Sequence, residues 1–161
     1  MLKLTLLEFF FRGIPEEFLI IFAVYAFSKT AVNIKKYIIS SIFLVITIYF
    51  IRFLPIQYGV NMILGLIAII VLIVNINKID IVKAIKASII AITLECICEA
   101  INIFIIQYVF KVDVNYVFKE PTLKIVLGIP SLLIFAFFVT TYYIIMSRRK
   151  ELRDTFNGEI S

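Results

Sequence analysis

The 161-residue chain contains no histidine. A histidine general base, a phospho-accepting histidine and an imidazole metal ligand are therefore all excluded from it. Walker-type glycine loops, a C-x-x-C pair and a G-x-S-x-G elbow are missing as well. The two cysteines, Cys96 and Cys98, lie inside one apolar stretch, where they cannot staple a loop. Two residues apart on a helix they stand about 200° round the axis, so they cannot chelate one ion and read as small buried hydrophobes. The sequence points away from an enzyme and calls for no metal and no cofactor. No cleavable leader is expected either, since the apolar run at 4–11 is followed by Arg12-Gly13-Ile14-Pro15-Glu16-Glu17 with no small-residue cleavage site.

What the chain has in excess is apolar residues. They make up 63% of the sequence, against about 45–50% in soluble domains, and mean hydropathy is +1.09. Too little polar surface remains to cover a water-facing globule, so the solvent implied is lipid. The net charge of +5 does not read as a nucleic-acid footprint, because the basic residues sit in short links between apolar runs and not on one face.

A bilayer core of about 30 Å takes about 20 helical residues. Five stretches come close, at 4–27, 37–57, 60–76, 87–110 and 124–146, which predicts an all-α integral membrane protein built as a five-helix bundle. Residues 1–147 form the membrane domain and 148–161 a short basic and acidic tail. Lys29, Lys35, Lys36, Lys78, Lys83, Lys86, Arg148, Arg149, Lys150 and Arg153 fall on one side. Lys3, Lys111, Lys119 and Lys124 fall on the other. Ten against four places the larger set in the cytoplasm, with the N-terminus outside and the C-terminus inside a cell membrane. The first span carries Gly13-Ile14-Pro15-Glu16-Glu17, which reads as a break followed by a helix start, since proline suits the first helical turn and acids there complement the helix dipole. An alternative keeps 4–12 in the inner interface, so that the segment does not cross and the N-terminus moves inside. The echo of Gly13-Ile14-Pro15 in Gly128-Ile129-Pro130 has the look of a transporter repeat, but three residues in an Ile-rich chain read more simply as coincidence. Asn75 and Asn77 read as caps at the end of the third span. Tyr142 and Tyr143, with Arg148 to Lys150 beyond, read as an interfacial anchor.

Ionisable residues at membrane depth are the informative ones, each costing at least about 2.5–3.5 kcal/mol at a helix centre unless paired or hydrated. They are Glu8, Arg12, Glu16, Glu17, Arg52, Glu95 and Glu99. Ala84, Ser88, Ala91, Glu95, Cys98, Glu99 and Asn102 recur at three- and four-residue steps, which puts them on one stripe facing protein. Depth counting at about 1.5 Å per residue places Glu8 and Arg52 about 6 and 8 Å below the outer ends of their spans, and Arg12 and Glu99 about 12 and 17 Å. That pairs Glu8 with Arg52 and Arg12 with Glu99, and leaves Glu16 and Glu95 without a fixed partner. Two readings stay open. The pairs fix the packing, or the excess of acid over arginine makes Glu16, Glu95, Glu99 and Asn102 a ligand, proton or cation-responsive site, since an unpaired carboxylate in hydrocarbon takes up a proton unless water or a cation reaches it.

The segments Leu6-Leu7-Glu8-Phe9-Phe10-Phe11-Arg12-Gly13-Ile14-Pro15-Glu16, Arg52-Phe53-Leu54-Pro55-Ile56-Gln57-Tyr58-Gly59-Val60 and Lys78-Ile79-Asp80-Ile81-Val82-Lys83-Ala84-Ile85 resemble the multi-span N-terminal sensor regions of Agr-type bacterial receptor histidine kinases. Such receptors continue from a basic stretch like Arg148 to Arg153 into a histidine-bearing dimerisation region and an ATP-binding domain, whereas this chain continues for eight residues. The resemblance implies a signal-sensing or regulatory module without its own kinase, acting through a cytoplasmic kinase or regulator. A second reading is a small solute- or cation-transport component, similar in size to the substrate-binding membrane subunits of energy-coupling-factor transporters and assembling with transporter subunits. A third is a membrane assembly protein with no ligand. The expected partners are the lipid bilayer, one of those proteins and a second copy of the chain, with no nucleic acid.

Overall fold

The computed structural model describes residues 9–54, 58–108, 121–149 and 152. Among them are a π-helical turn (Phe9–Gly13) and five α-helices: α1 (Ile14–Phe27), α2 (Ile34–Phe53), α3 (Tyr58–Asn75), α4 (Ile81–Tyr108) and α5 (Pro121–Arg148), with no strand. Three segments are long and apolar enough to cross a membrane: Ile34–Phe53 of 20 residues, Ile81–Tyr108 of 28 and Ile125–Arg148 of 24. Helix α3 contributes a shorter apolar stretch, Gly59–Asn75. Large apolar side chains such as Ile42, Phe43, Phe50, Ile63, Ile90, Phe104, Leu133 and Phe137 are exposed on α2 to α5. Such a surface suits hydrocarbon and would aggregate in water.

Local sequence explains where the helices start and stop. Pro15 lies in the first turn of α1, with Glu16 and Glu17 beside it. The interruption expected at Gly13-Pro15 is a change of winding and not a gap. Gly13 is itself right-handed helical, and the wider π turn passes straight into α1, because Pro15 has no N–H to continue a tighter ladder from the preceding turn. Helix α1 closes with Lys29 in the left-handed region at φ 54°. The Lys29 N–H donates to Ala26 O and the Thr30 N–H to Tyr25 O, both at 3.1 Å. This pairs two carbonyls the helix end would leave orphaned. The Asn33 side chain accepts the Lys36 N–H at 3.3 Å and so caps α2. Asp80 Oδ1 accepts the N–H groups of Val82 and Lys83 at 3.1 and 3.3 Å, which is why α4 starts at Ile81 and not at 87.

Helix α1 is the centre of the bundle. Only 14 residues long, it packs against α2, α4 and α5, and its Ile20, Ile21, Ala23, Val24, Tyr25 and Ala26 are buried. A helix surrounded by other helices needs no lipid-matched length, so the first segment is a buried core element over its described part. Helix α4 presents Ala84, Ala87, Ser88 and Ala91 as its buried face, where small side chains let the backbones come close. At the other face of the same helix Cys96 is exposed, and only Cys98 is buried. The expectation that both cysteines are buried therefore fails for Cys96, because their angular separation sends one inward and one outward. Tyr142 and Tyr143 stack on Phe27 and Phe22 at 5.1 and 5.2 Å, and the Tyr143 hydroxyl accepts the Val32 N–H at 3.3 Å. They join α5 to α1 as well as marking its end. Asn75, expected as a cap, instead donates back to Val71 O at 2.7 Å inside its own helix, a carbonyl that is not among the four left orphaned at the helix end. Asn77 does not cap either: it is fully buried and neither of its side-chain polar atoms has a partner.

Candidate functional site

The π turn, α1, α2 and α4 bring six ionisable residues into one cluster. Arg12 donates from Nη2 to Glu99 Oε1, joining the π turn to α4 across 87 residues of sequence. Its Nε lies 3.7 Å from Glu16 Oε2 one helical turn further on. Glu16 therefore has a partner, contrary to the expectation that it lacks one. Four residues of helix place the two side chains on the same face, a proximity that depth counting between spans does not register. The Arg12 and Glu16 side chains are only 15% and 12% exposed, while that of Glu99 is 38% exposed. The Glu95 carboxyl stands within hydrogen-bonding reach of Glu16 and in the field of Glu17 and Glu99. Glu17 is 4% exposed, and its Oε2 has no partner. The charge of Arg52, on α2, acts on both Glu17 and Glu99. The expected pair of Glu8 with Arg52 lies outside the described residues.

Helix α5 supplies the wall of the cluster. Gly128 is the point at which Arg12 crosses it: a Cβ on Gly128 would sit 3.0 Å from Arg12 Nη1 and 3.3 Å from Cδ. Two residues on, Pro130 interrupts the backbone ladder of α5. Asn102 donates from Nδ2 to Leu127 O at 2.6 Å, and the Ser131 hydroxyl donates to Gly128 O at 2.7 Å. Side chains thus serve two carbonyls in the turn before the proline, as backbone at membrane depth requires. This gives Asn102 a structural occupation on the stripe where the sequence placed it. A narrow cleft lined by Glu95, Cys98, Glu99, Ser131, Leu132 and Phe135 opens between α4 and α5, too tight for a water molecule.

The arrangement can hold and redistribute charge. Four carboxyls face two guanidinium groups, so the cluster carries an excess of acid that is balanced only by protons or added cations. Among the described residues no group of three or more cysteine and acidic side chains is placed to hold a metal ion. Sequence reasoning missed Gly128, Ser131 and Phe135. The Gly-Ile-Pro echo was the one signal pointing at Gly128, and its meaning is local: it places a glycine under Arg12 and a proline beside it.

No family model, no curated protein and no solved structure matches this chain.

Proposed function

We propose that the chain is a multi-pass protein of the bacterial cell membrane that works as a signal-sensing or regulatory module, with the Arg12, Glu16, Glu17, Glu95, Glu99 and Arg52 cluster as its responsive element. In this reading all five helical segments belong to one membrane bundle. The ten-to-four distribution of basic residues supports a cytoplasmic C-terminus, from which a kinase or regulator reads the state of the bundle. One observation carries the reading: Arg12 ties the π turn to α4 through Glu99 and to α1 through Glu16. A single change of charge there alters the fit of three segments at once, and a charge network with more acids than bases has such a change within reach.

The test compares cells carrying the wild-type chain with cells carrying Glu99→Gln at equal abundance. A regulatory module alters the transcription of a defined gene set and leaves solute uptake unchanged. Altered accumulation of one solute with unchanged transcription assigns the chain to transport instead. No change in either assigns it to assembly.

A further inference from the structure

Resting on the reading of the charge cluster as the responsive element, we infer that its ligand is the proton, bound between the carboxyl groups of Glu16 on α1 and Glu95 on α4. The first ground is geometric: Arg12 holds Glu16 on one side and Glu99 on the other, and Glu95 lies one helical turn from Glu99 on the same cleft, within hydrogen-bonding reach of Glu16. A hydrogen bond between two carboxyls contains one proton; with both ionised there is nothing to donate, and like charges a few ångströms apart repel. The second ground is Glu17. It follows Glu16 directly, is nine-tenths buried or more, and keeps Oε2 without a partner inside the same cluster. An orphaned carboxyl oxygen buried in the cluster lacks a partner among the described residues, and a proton is the smallest group that can satisfy it.

The surroundings favour a proton over larger cations. Among the described residues, the elements around Glu95 contribute the following charges. The π turn offers Arg12, which is engaged by Glu99 and Glu16. Helix α1 offers Glu16 and Glu17, and α2 offers Arg52, whose field reaches Glu17 and Glu99. Helix α4 itself carries Glu99 along with Cys96 and Cys98, while α3 has no Asp, Glu, Lys or Arg. Helix α5 lines the cleft with Ser131, Leu132 and Phe135, none of which ionises. Arg12 is engaged by Glu99 and Glu16, and the neighbouring charges acting on Glu95 itself, Glu16, Glu17 and Glu99, are all acidic, so its neutralisation falls to a proton or an added cation. The cleft that reaches it is too tight for a water molecule, which excludes a hydrated metal ion or an organic amine without rearrangement and admits a proton. Binding has a structural consequence. When the proton holds Glu16 to Glu95, α1 and α4 are joined. When it leaves, the two carboxylates separate and compete for Arg12, which draws on its link to Glu99.

The experiment uses the full chain in phosphatidylcholine and phosphatidylglycerol vesicles. Infrared difference spectra are taken across steps of pH, in H₂O and D₂O. Wild type is expected to lose a protonated-carboxyl C=O band, sensitive to D₂O, as pH rises. Both Glu16→Gln and Glu95→Gln should abolish or displace that band, and using both protects the test should either variant fail to fold. Because the chain has no tryptophan, Leu132→Trp at the cleft provides a single fluorophore whose emission should follow the same titration. A band unmoved in both glutamine variants overturns the proposal. A fluorescence change produced by sodium, magnesium or methylammonium at fixed pH, with no infrared band, overturns the proton assignment while leaving the cluster as the responsive element. Silence of the reporter to pH and to every cation removes both readings.

Discussion

Arg12 reaches Glu99 by lying across Gly128, where even a methyl group would stand 3.0 Å from Nη1 and 3.2 Å from Cζ. A single glycine on α5 thus decides whether the π turn can be tied to α4. Gly128→Ala asks the guanidinium to move by a few tenths of an ångström, and Gly128→Val asks for more than the neighbouring backbones allow. The expected losses are under about 1 kcal/mol for alanine and about 1–3 kcal/mol for valine, the usual range for overpacking. Mild-detergent to denaturing-detergent unfolding curves measure both. In an Arg12→Ala background the valine penalty should shrink, since the group it displaces is gone. Equal penalties in the two backgrounds would place the clash elsewhere.

The ion pair itself is open to a double-mutant cycle. Glu99→Gln leaves Arg12 with Glu16 as its remaining partner. The destabilisation should therefore fall at or below the low end of the about 3–5 kcal/mol seen when a buried charge is stranded outright. Arg12→Gln alone removes the counter-charge of two acids and should be the more damaging single change. The pair of substitutions should recover about 0.5–3 kcal/mol relative to the sum of the singles, the range for residues in contact. Strict additivity would mean that the two side chains do not interact.

The bundle was legible to the extent that hydrophobic runs and basic links record it. Over the described residues the apolar stretches at 37–57, 60–76, 87–110 and 124–146 overlap α2 to α5, and of the stripe through Ala84, Ser88, Ala91, Glu95, Cys98, Glu99 and Asn102 all but Glu95 and Glu99, which are half-buried, lie on the buried face of α4. Hydropathy could not reveal that α1 is central, because a helix surrounded by protein and a helix facing lipid are equally apolar. The helix starts were missed where side-chain capping sets them, as Asp80 does seven residues ahead of the apolar run. Of the charges, the link between Arg12 and Glu99 follows from depth along two spans, whereas Glu16 joining it depends on which way one helical turn faces. The role of Gly128 needs three dimensions altogether: nothing in the composition of α5 says which side chain from the N-terminal turn will cross it.

Asn102 and Pro130 form a separate coupled pair. Proline cannot donate to the Val126 carbonyl one turn before it, and in that same turn the Leu127 carbonyl accepts the Asn102 amide at 2.6 Å. Asn102→Leu should destabilise by about 0.6–1.7 kcal/mol, the measured scale for interhelical hydrogen bonds in membranes. Pro130→Ala supplies the N–H that proline lacks and should reduce the effect of Asn102→Leu by at least about half. Should Asn102→Leu cost the same with proline or alanine at 130, the asparagine is serving packing and not the interrupted backbone.

Topology is the last property within reach of a direct measurement, and the fold changes how it is measured. A cysteine at Asn77 would be a poor probe, because that side chain is fully buried and would stay unlabelled from either side. Lys35 and Lys83 are exposed and belong to the basic set assigned to the cytoplasm, so they are the better positions. The background is first cleared with Cys96→Ala and Cys98→Ala. The former faces outward and should be nearly neutral, and the latter should cost on the order of 1 kcal/mol for the small void it leaves. With sealed cells and a membrane-impermeant maleimide, Asn115→Cys in the 111–123 link should label, while Lys35→Cys and Lys83→Cys should label only after the membrane is opened. Because these two positions lie in the first turns of α2 and α4, labelling of either one in sealed cells would invert the bundle and move the partner-reading face to the outside.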